Sequence, residues 1–194
     1  MRIVGILLAA GEGARFGGGK LLAPVPRTAH GVSAGTSVGA ASAMHMMAAL
    51  NDVVAIVRPR DAMLEHALVA TGARVVPCDR AAEGMGASIA CGVAQCPDAD
   101  GWVIALADMP WIAPNSIVAV ADAIREGAEI VATQFEGKRG HPVGFSRKYG
   151  SLLATLGGDE GARSIIAARQ WALCLVDVED PGVLRDVDRP SDLV

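Results

Sequence analysis

The sequence predicts an α/β fold with a mostly parallel sheet covered by helices on both faces. Three observations predict it. Apolar runs of strand length alternate with helix-like segments of about ten residues. The first run, Ile3 to Ala9, is continuously apolar rather than alternating, as expected of a strand buried on both faces. The polar and glycine-rich segments fall just after strands: Gly11 to Lys20, Cys78 to Gly86, and Asp108. Open α/β sheets bind ligands at those carboxyl ends.

The elements follow in order. After the Ile3–Ala9 strand, residues 36 to 50 have helical composition, with Thr36 or Ser37 as the cap. Val53 to Val57 is the second strand, closed by Pro59. Asp61 to Ala70 is an amphipathic helix with Asp61 as N-cap. Arg74 to Val76 is a short strand and Ala87 to Gln95 a helix. Trp102 to Ala107 is the fourth strand, ended by Asp108-Met109-Pro110. Pro114 opens a helix to about Glu126. Ile130 to Phe135 is a fifth strand and Val143 to Phe145 a short one. Gly161 to Ala168 is a helix, and Trp171 to Val178 a late strand.

At 194 residues, with no linker, repeat or low-complexity tract, the chain is expected to form one domain, 1–194. Its net charge of −4 excludes a basic nucleic-acid module and a polybasic membrane-surface protein. The apolar content of 52% excludes disorder. Cys78, Cys91, Cys96 and Cys174 include no CxxC pair, so zinc and dithiol readings fail and reduced, buried thiols are expected. Met1 to Ala10 imitates a signal peptide but reads better as strand then loop. The longest stretch without Asp, Glu, Lys or Arg, Thr28 to Asn51, is too polar to span a bilayer. A soluble cytoplasmic protein is expected.

The first loop runs Leu8-Ala9-Ala10-Gly11-Glu12-Gly13-Ala14-Arg15-Phe16-Gly17-Gly18-Gly19-Lys20-Leu21. It misses the dinucleotide fingerprint at Phe16, and the P-loop at Ala14 and Leu21. Its chemistry still suits a polyphosphate. Glycines let backbone N–H groups approach anionic oxygens, and Arg15 and Lys20 add a forked and a point-like cation. Asp108, at the end of an apolar strand, sits near that loop if the strands are neighbours. A carboxylate beside phosphates suits Mg²⁺. The competing reading is an Asp that caps the turn before Pro110.

Several other residues have ordinary readings. Met44-His45-Met46-Met47 lies mid-helix, where consecutive side chains diverge, and reads as core. His66 reads as solvated, and Trp102 and Trp171 as core. Trp111 reads as core or rim rather than a ligand-stacking ring. Arg58 and Arg60 read equally as steering or solvated charge.

Taken together, Leu8 to Lys20, Glu83 to Ser88, Ala107 to Pro110, Gly140 to Val143, Gly158 to Arg163 and Asp186 to Leu193 resemble the MobA-like NTP transferase family. The resemblance spans nearly the whole chain and is greatest to the molybdenum cofactor cytidylyltransferase branch. It implies a three-layer α/β/α, Rossmann-like fold of the nucleotide-diphospho-sugar transferase type. It also implies transfer of a nucleotide from an NTP to a phosphorylated acceptor, with pyrophosphate released. Carried over, Leu8, Ala9, Ala10 and Gly11 contact base and ribose, with Gly13, Asp79, Met85, Gly86 and Ser88 also in the nucleotide site. Arg15 and Lys20 hold the triphosphate, and Asp108 and Asp188 bind Mg²⁺. His141, Asp159 and Arg163 face the acceptor. The family's Gly-x-Pro turn before the next helix is missing: Pro24 to Thr36 replaces it, and the proline position reads Ser37.

The Ala9-Ala10-Gly11 turn resembles the family's CTP users, so CTP is expected over GTP. The implied acceptor is molybdenum-bound molybdopterin, and the implied recipient of the product is a molybdenum hydroxylase. Alternatives are a guanylyltransferase, a sugar-phosphate nucleotidyltransferase, or a non-catalytic cofactor chaperone. The presence of both Lys20 and Asp108 argues against the last.

Overall fold

The computed structural model describes residues 1–193; Val194, the last residue of the expected domain, lies outside them. Seven strands form one sheet: β1 (Ile3–Leu8), β2 (Val53–Val57), β3 (Arg74–Pro77), β4 (Gly101–Leu106), β5 (Ile130–Phe135), β6 (Lys138–Ser146) and β7 (Leu173–Asp177). Their spatial order is β3-β2-β1-β4-β6-β5-β7. All pairings are parallel except those of β6, which runs antiparallel to both β4 and β5. Among the described residues, six α-helices accompany the sheet: α1 (Val38–Ala49), α2 (Ala62–Val69), α3 (Met85–Ala94), α4 (Pro114–Arg125), α5 (Gly150–Ala154) and α6 (Arg163–Ala168). This is the α/β, Rossmann-like architecture of nucleotide-sugar transferase folds.

Each face of the sheet has its own apolar layer because successive strand residues point to opposite sides. Leu7, Ala55 and Val103 meet Met46 of α1, Leu64 of α2 and Ile117 of α4 on one face. Ile6, Ile56 and Ile104 meet Ile89 of α3, Leu153 of α5 and Ile165 of α6 on the other. The two layers are filled largely by Val, Ile, Leu and Ala, as the few aromatics require. Asp61 caps α2 as expected, its side chain accepting from Leu64 N at 3.4 Å, whereas Ser37 precedes α1 without a side-chain cap bond.

Three expectations are corrected. The short strand at Val143–Phe145 is in fact the nine-residue β6. Glu136 and Gly137, at φ 48 and 74, make a tight turn that sends β6 back between β4 and β5. Trp171 is not core but 79% exposed, beside the edge strand β7. Cys174 is exposed and Cys91 half-buried, while Cys78 and Cys96 are buried; all four are free. The stretch replacing the family's turn is a folded excursion. Pro24 bridges Ser37, Ala29 bridges Val32, and Val25 and Val32 are buried. His45 of α1 donates to Ala29 O at 3.3 Å and anchors it. Among the described residues, no helix is long and apolar enough to cross a membrane.

Candidate active site

β1 and β4 are adjacent, with Leu8 opposite Leu106, so the glycine loop and Asp108 leave the sheet side by side. Lys20 Nζ donates to Asp108 Oδ2 at 2.7 Å across that gap, and the Lys20 side chain is only 11% exposed. The C-terminal segment closes the third side. Val187 N donates to Asp108 O at 2.8 Å, which brings Asp186 and Asp188 to the same place. Asp188 Oδ1 lies 3.8 Å from Lys20 Nζ, and its Oδ2 accepts from Arg15. Asp192 holds this turn by accepting from the backbone N–H of Asp188 and Arg189 at 2.9 and 2.7 Å.

Burial raises the Asp186 carboxyl above the usual range, and the charges of Asp108 and Asp188 push the same way. Three carboxylates thus face two cations. Asp108 Oδ1 is buried with no hydrogen-bond partner, while its Oδ2 is taken by Lys20. An orphaned carboxylate oxygen beside a second acid fits a hard divalent cation. Among the described residues, no group of three His, Cys, Asp or Glu side chains makes a ready cage. One or two carboxylates plus substrate phosphates is the arrangement Mg²⁺ ordinarily takes.

Two connected cavities open at this end of the sheet. The first, of about 490 Å³, is walled by Leu8, Ala10 and Gly11 on one side and by Met85 and Ser88 of α3 on the other, with Asp108 at its end. The second, of about 370 Å³, shares Leu8, Met85, Leu106 and Asp159 with the first. It adds Arg139, His141 and Arg163. Burial keeps His141 below its ordinary pKa, so the ring is neutral near pH 7, and its Nδ1 lacks a partner. β6 carries Arg139 and His141 to this end because it runs opposite to its neighbours.

The structure therefore brings together most of the residues singled out in the sequence. Leu8, Ala10, Gly11, Met85, Ser88 and Asp108 line the first cavity, and His141, Asp159 and Arg163 the second. Gly13 lines a smaller cleft under the glycine loop, with Lys20. Ala9 is buried on the opposite face of the sheet. Gly86 lies beneath the wall, its N–H donating to Gly158 O at 2.8 Å. Asp79 is exposed and lines neither cavity. Arg15 is exposed, turned onto Asp188, and also lines neither. Trp111 is buried and packed against the guanidinium groups of Arg185 and Arg27, at 4.9 and 5.5 Å from the ring centroid. Sequence reasoning missed Asp186 and Arg139 as neighbours of the cleft. Asp186 lay inside a recognised segment, but no local signal points to Arg139.

A Rossmann-like sheet that gathers a glycine loop, a lysine and carboxylates at its strand ends defines a nucleotidyltransferase-type enzyme. More narrowly, the chain belongs to the MobA-like NTP transferase family, whose domain matches residues 5–173. It is 29% identical to the purine catabolism protein PucB of Bacillus subtilis, over 98% of this chain and 93% of that one. It is 25% identical to nicotine blue oxidoreductase of Paenarthrobacter nicotinovorans, over 96% and 92%. Among solved structures, Rv0371c of Mycobacterium tuberculosis superposes with a TM-score of 0.82 at 27% identity, covering 99% and 95% of the two chains. A manganese complex of that protein superposes at 0.77, with 26% identity and 99% and 96% coverage. A divalent metal thus accompanies this fold in a relative.

Proposed function

We propose that the chain, as one domain spanning 1–194, transfers CMP from CTP to the terminal phosphate of molybdenum-bound molybdopterin and releases pyrophosphate. The observation that carries this reading is the two-chambered cleft. One chamber joins the Leu8–Gly11 wall to Asp108, and the other adds Arg139, His141 and Arg163 for an anionic acceptor. The shared Leu8, Met85 and Leu106 give both chambers an apolar floor that suits a base and a pterin ring. One relative, nicotine blue oxidoreductase, carries the name of an oxidoreductase. Phe16 at the third fingerprint position argues against a bound dinucleotide here.

An acceptor phosphate is largely dianionic near pH 7, since its second pKa is about 6. Its oxygen can attack the α-phosphorus in line without a general base, and no covalent enzyme intermediate is needed. The protein's task is alignment and charge neutralisation. Lys20 and Arg15 exchange their carboxylates for phosphate oxygens, which frees Asp108 and Asp188. Those two would hold Mg²⁺, which when bound supplies positive charge against the triphosphate. Neutral His141 donates or accepts a hydrogen bond on the acceptor without adding charge. Such an enzyme works in the cytoplasm and hands its product to a molybdenum hydroxylase.

Pyrophosphate release with Mg²⁺, molybdenum-bound molybdopterin and each NTP in turn tests the proposal. Release with CTP alone is expected. Release with GTP alone overturns the base assignment, and release only with a sugar phosphate as acceptor overturns the pterin.

A further inference from the structure

We infer that Arg58 is a further polyphosphate-binding residue, and that Glu12 is the acid it gives up when polyphosphate arrives. The inference rests on the nucleotidyltransferase reading and adds a residue to it. Arg58 directly follows β2, which pairs with β1 so that Ile56 lies opposite Leu8. The side chain therefore emerges beside Gly11 and Glu12. It lines the 490 Å³ cavity, and also the 160 Å³ cleft under the glycine loop that holds Gly13, Gly19 and Lys20. Among the residues lining those two cavities, Arg58 is the cation common to both.

The backbone around it is stiff. Pro59 confines Arg58 to extended conformations. Arg60 then takes φ 68, which side-chain-bearing residues rarely adopt, and Asp61 caps α2 immediately afterwards. The chain turns sharply after Arg58 and leaves the guanidinium over the loop. Its present partner is a poor one. Arg58 Nη1 lies 3.7 Å from Glu12 Oε1, and the two side chains are 38% and 77% exposed. An ion pair so long and so solvated is weak. Two oxygens of a polyphosphate match the planar fork better. Arg15, the loop's own guanidinium, lines neither cavity and must turn away from Asp188 to reach phosphate, whereas Arg58 already stands at both.

Calorimetric titration of CTP and of inorganic pyrophosphate, with Mg²⁺, into wild type, Arg58→Ala, Arg58→Lys, Glu12→Gln and the Glu12→Gln/Arg58→Ala double variant tests this. Thermal melts serve as the folding control. Arg58→Ala is expected to weaken both probes about tenfold, and Arg58→Lys to recover part of the loss. Glu12→Gln is expected to tighten both about twofold, a gain that is smaller in the double variant. With a purely structural Arg58, removing Glu12 would give the same gain whether or not Arg58 is present. Wild-type affinity in Arg58→Ala overturns the assignment of Arg58. An absent gain in Glu12→Gln, or an equal gain in the double variant, overturns the exchange with Glu12. A wild type that binds neither CTP nor inorganic pyrophosphate overturns the nucleotidyltransferase reading, and this inference with it.

Discussion

Gly17, Gly18 and Gly19 of the first loop sit at φ 88, 94 and 65, with open space where a Cβ would go. Gly86, under the facing wall, is different: a Cβ there would lie 2.5 Å from the backbone oxygen of Gly157. Its N–H donates to Gly158 O, which ties the start of α3 to the segment before α6. One wall needs glycine for conformation, the other for contact. The first is an open loop bearing the cations Arg15 and Lys20. The second is a packed joint shaped by its neighbours. Chemistry should therefore be lost independently of stability on the first wall and its carboxylates, and together with stability on the second.

The largest expected effect tests the chemical side. Asp108→Asn should lower CTP-dependent pyrophosphate release about 10²- to 10³-fold, while circular dichroism shows a folded protein. Lys20 keeps Asp188 nearby. Near wild-type turnover would remove Asp108 from the reaction. Gly86→Ala should cost about 3 kcal/mol in urea unfolding, because backbone rather than a flexible side chain meets the new methyl. Gly18→Ala, with nothing within 4 Å, should cost only the left-handed penalty of about 1 kcal/mol. Equal costs for the two would erase the contrast between the walls.

Ala10→Gly removes a methyl from the first cavity and should raise GTP use relative to CTP by about tenfold, read as a ratio of kcat/KM values. The smallest effect is on pH dependence. Burial lowers the pKa values of His45 and His141. The unfolded chain therefore binds protons that the folded one refuses, in the window below about 6.5. Unfolding free energy should fall as pH drops through that window. His45→Gln should flatten the slope in denaturant titrations at a series of pH values. An unchanged slope would show that His45 carries none of it.

The parallel core was legible because its strands are apolar throughout; Val53–Val57 and Ile130–Phe135 match the sequence reading residue for residue. β6 was not, since Gly140 and Pro142 punctuate it and proline is a poor strand residue. The turn that reverses it uses Glu136 rather than Asn or Asp before Gly137. Lys20 and Asp108 were legible as a pair because the segments that carry them leave strands that proved adjacent. Arg58 and Arg139 were not, because their place in the cleft depends on which strands are neighbours and which way β6 runs. Trp171 misled because an aromatic beside an apolar run looks like core, whereas β7 is an edge strand with little covering it.

The insertion of β6 between β4 and β5 has a consequence for chain synthesis. Once residues 1–107 have left the ribosome, β3, β2, β1 and β4 can pair with the parallel registers they keep in the finished sheet. The outer rim of β4 then stands open until residues 138–146 follow. An open rim of apolar strand is a template for mispairing with other chains. The same docking event that covers it delivers Arg139 and His141 to the cleft, so a nascent chain acquires its second chamber only when its most vulnerable edge is sealed.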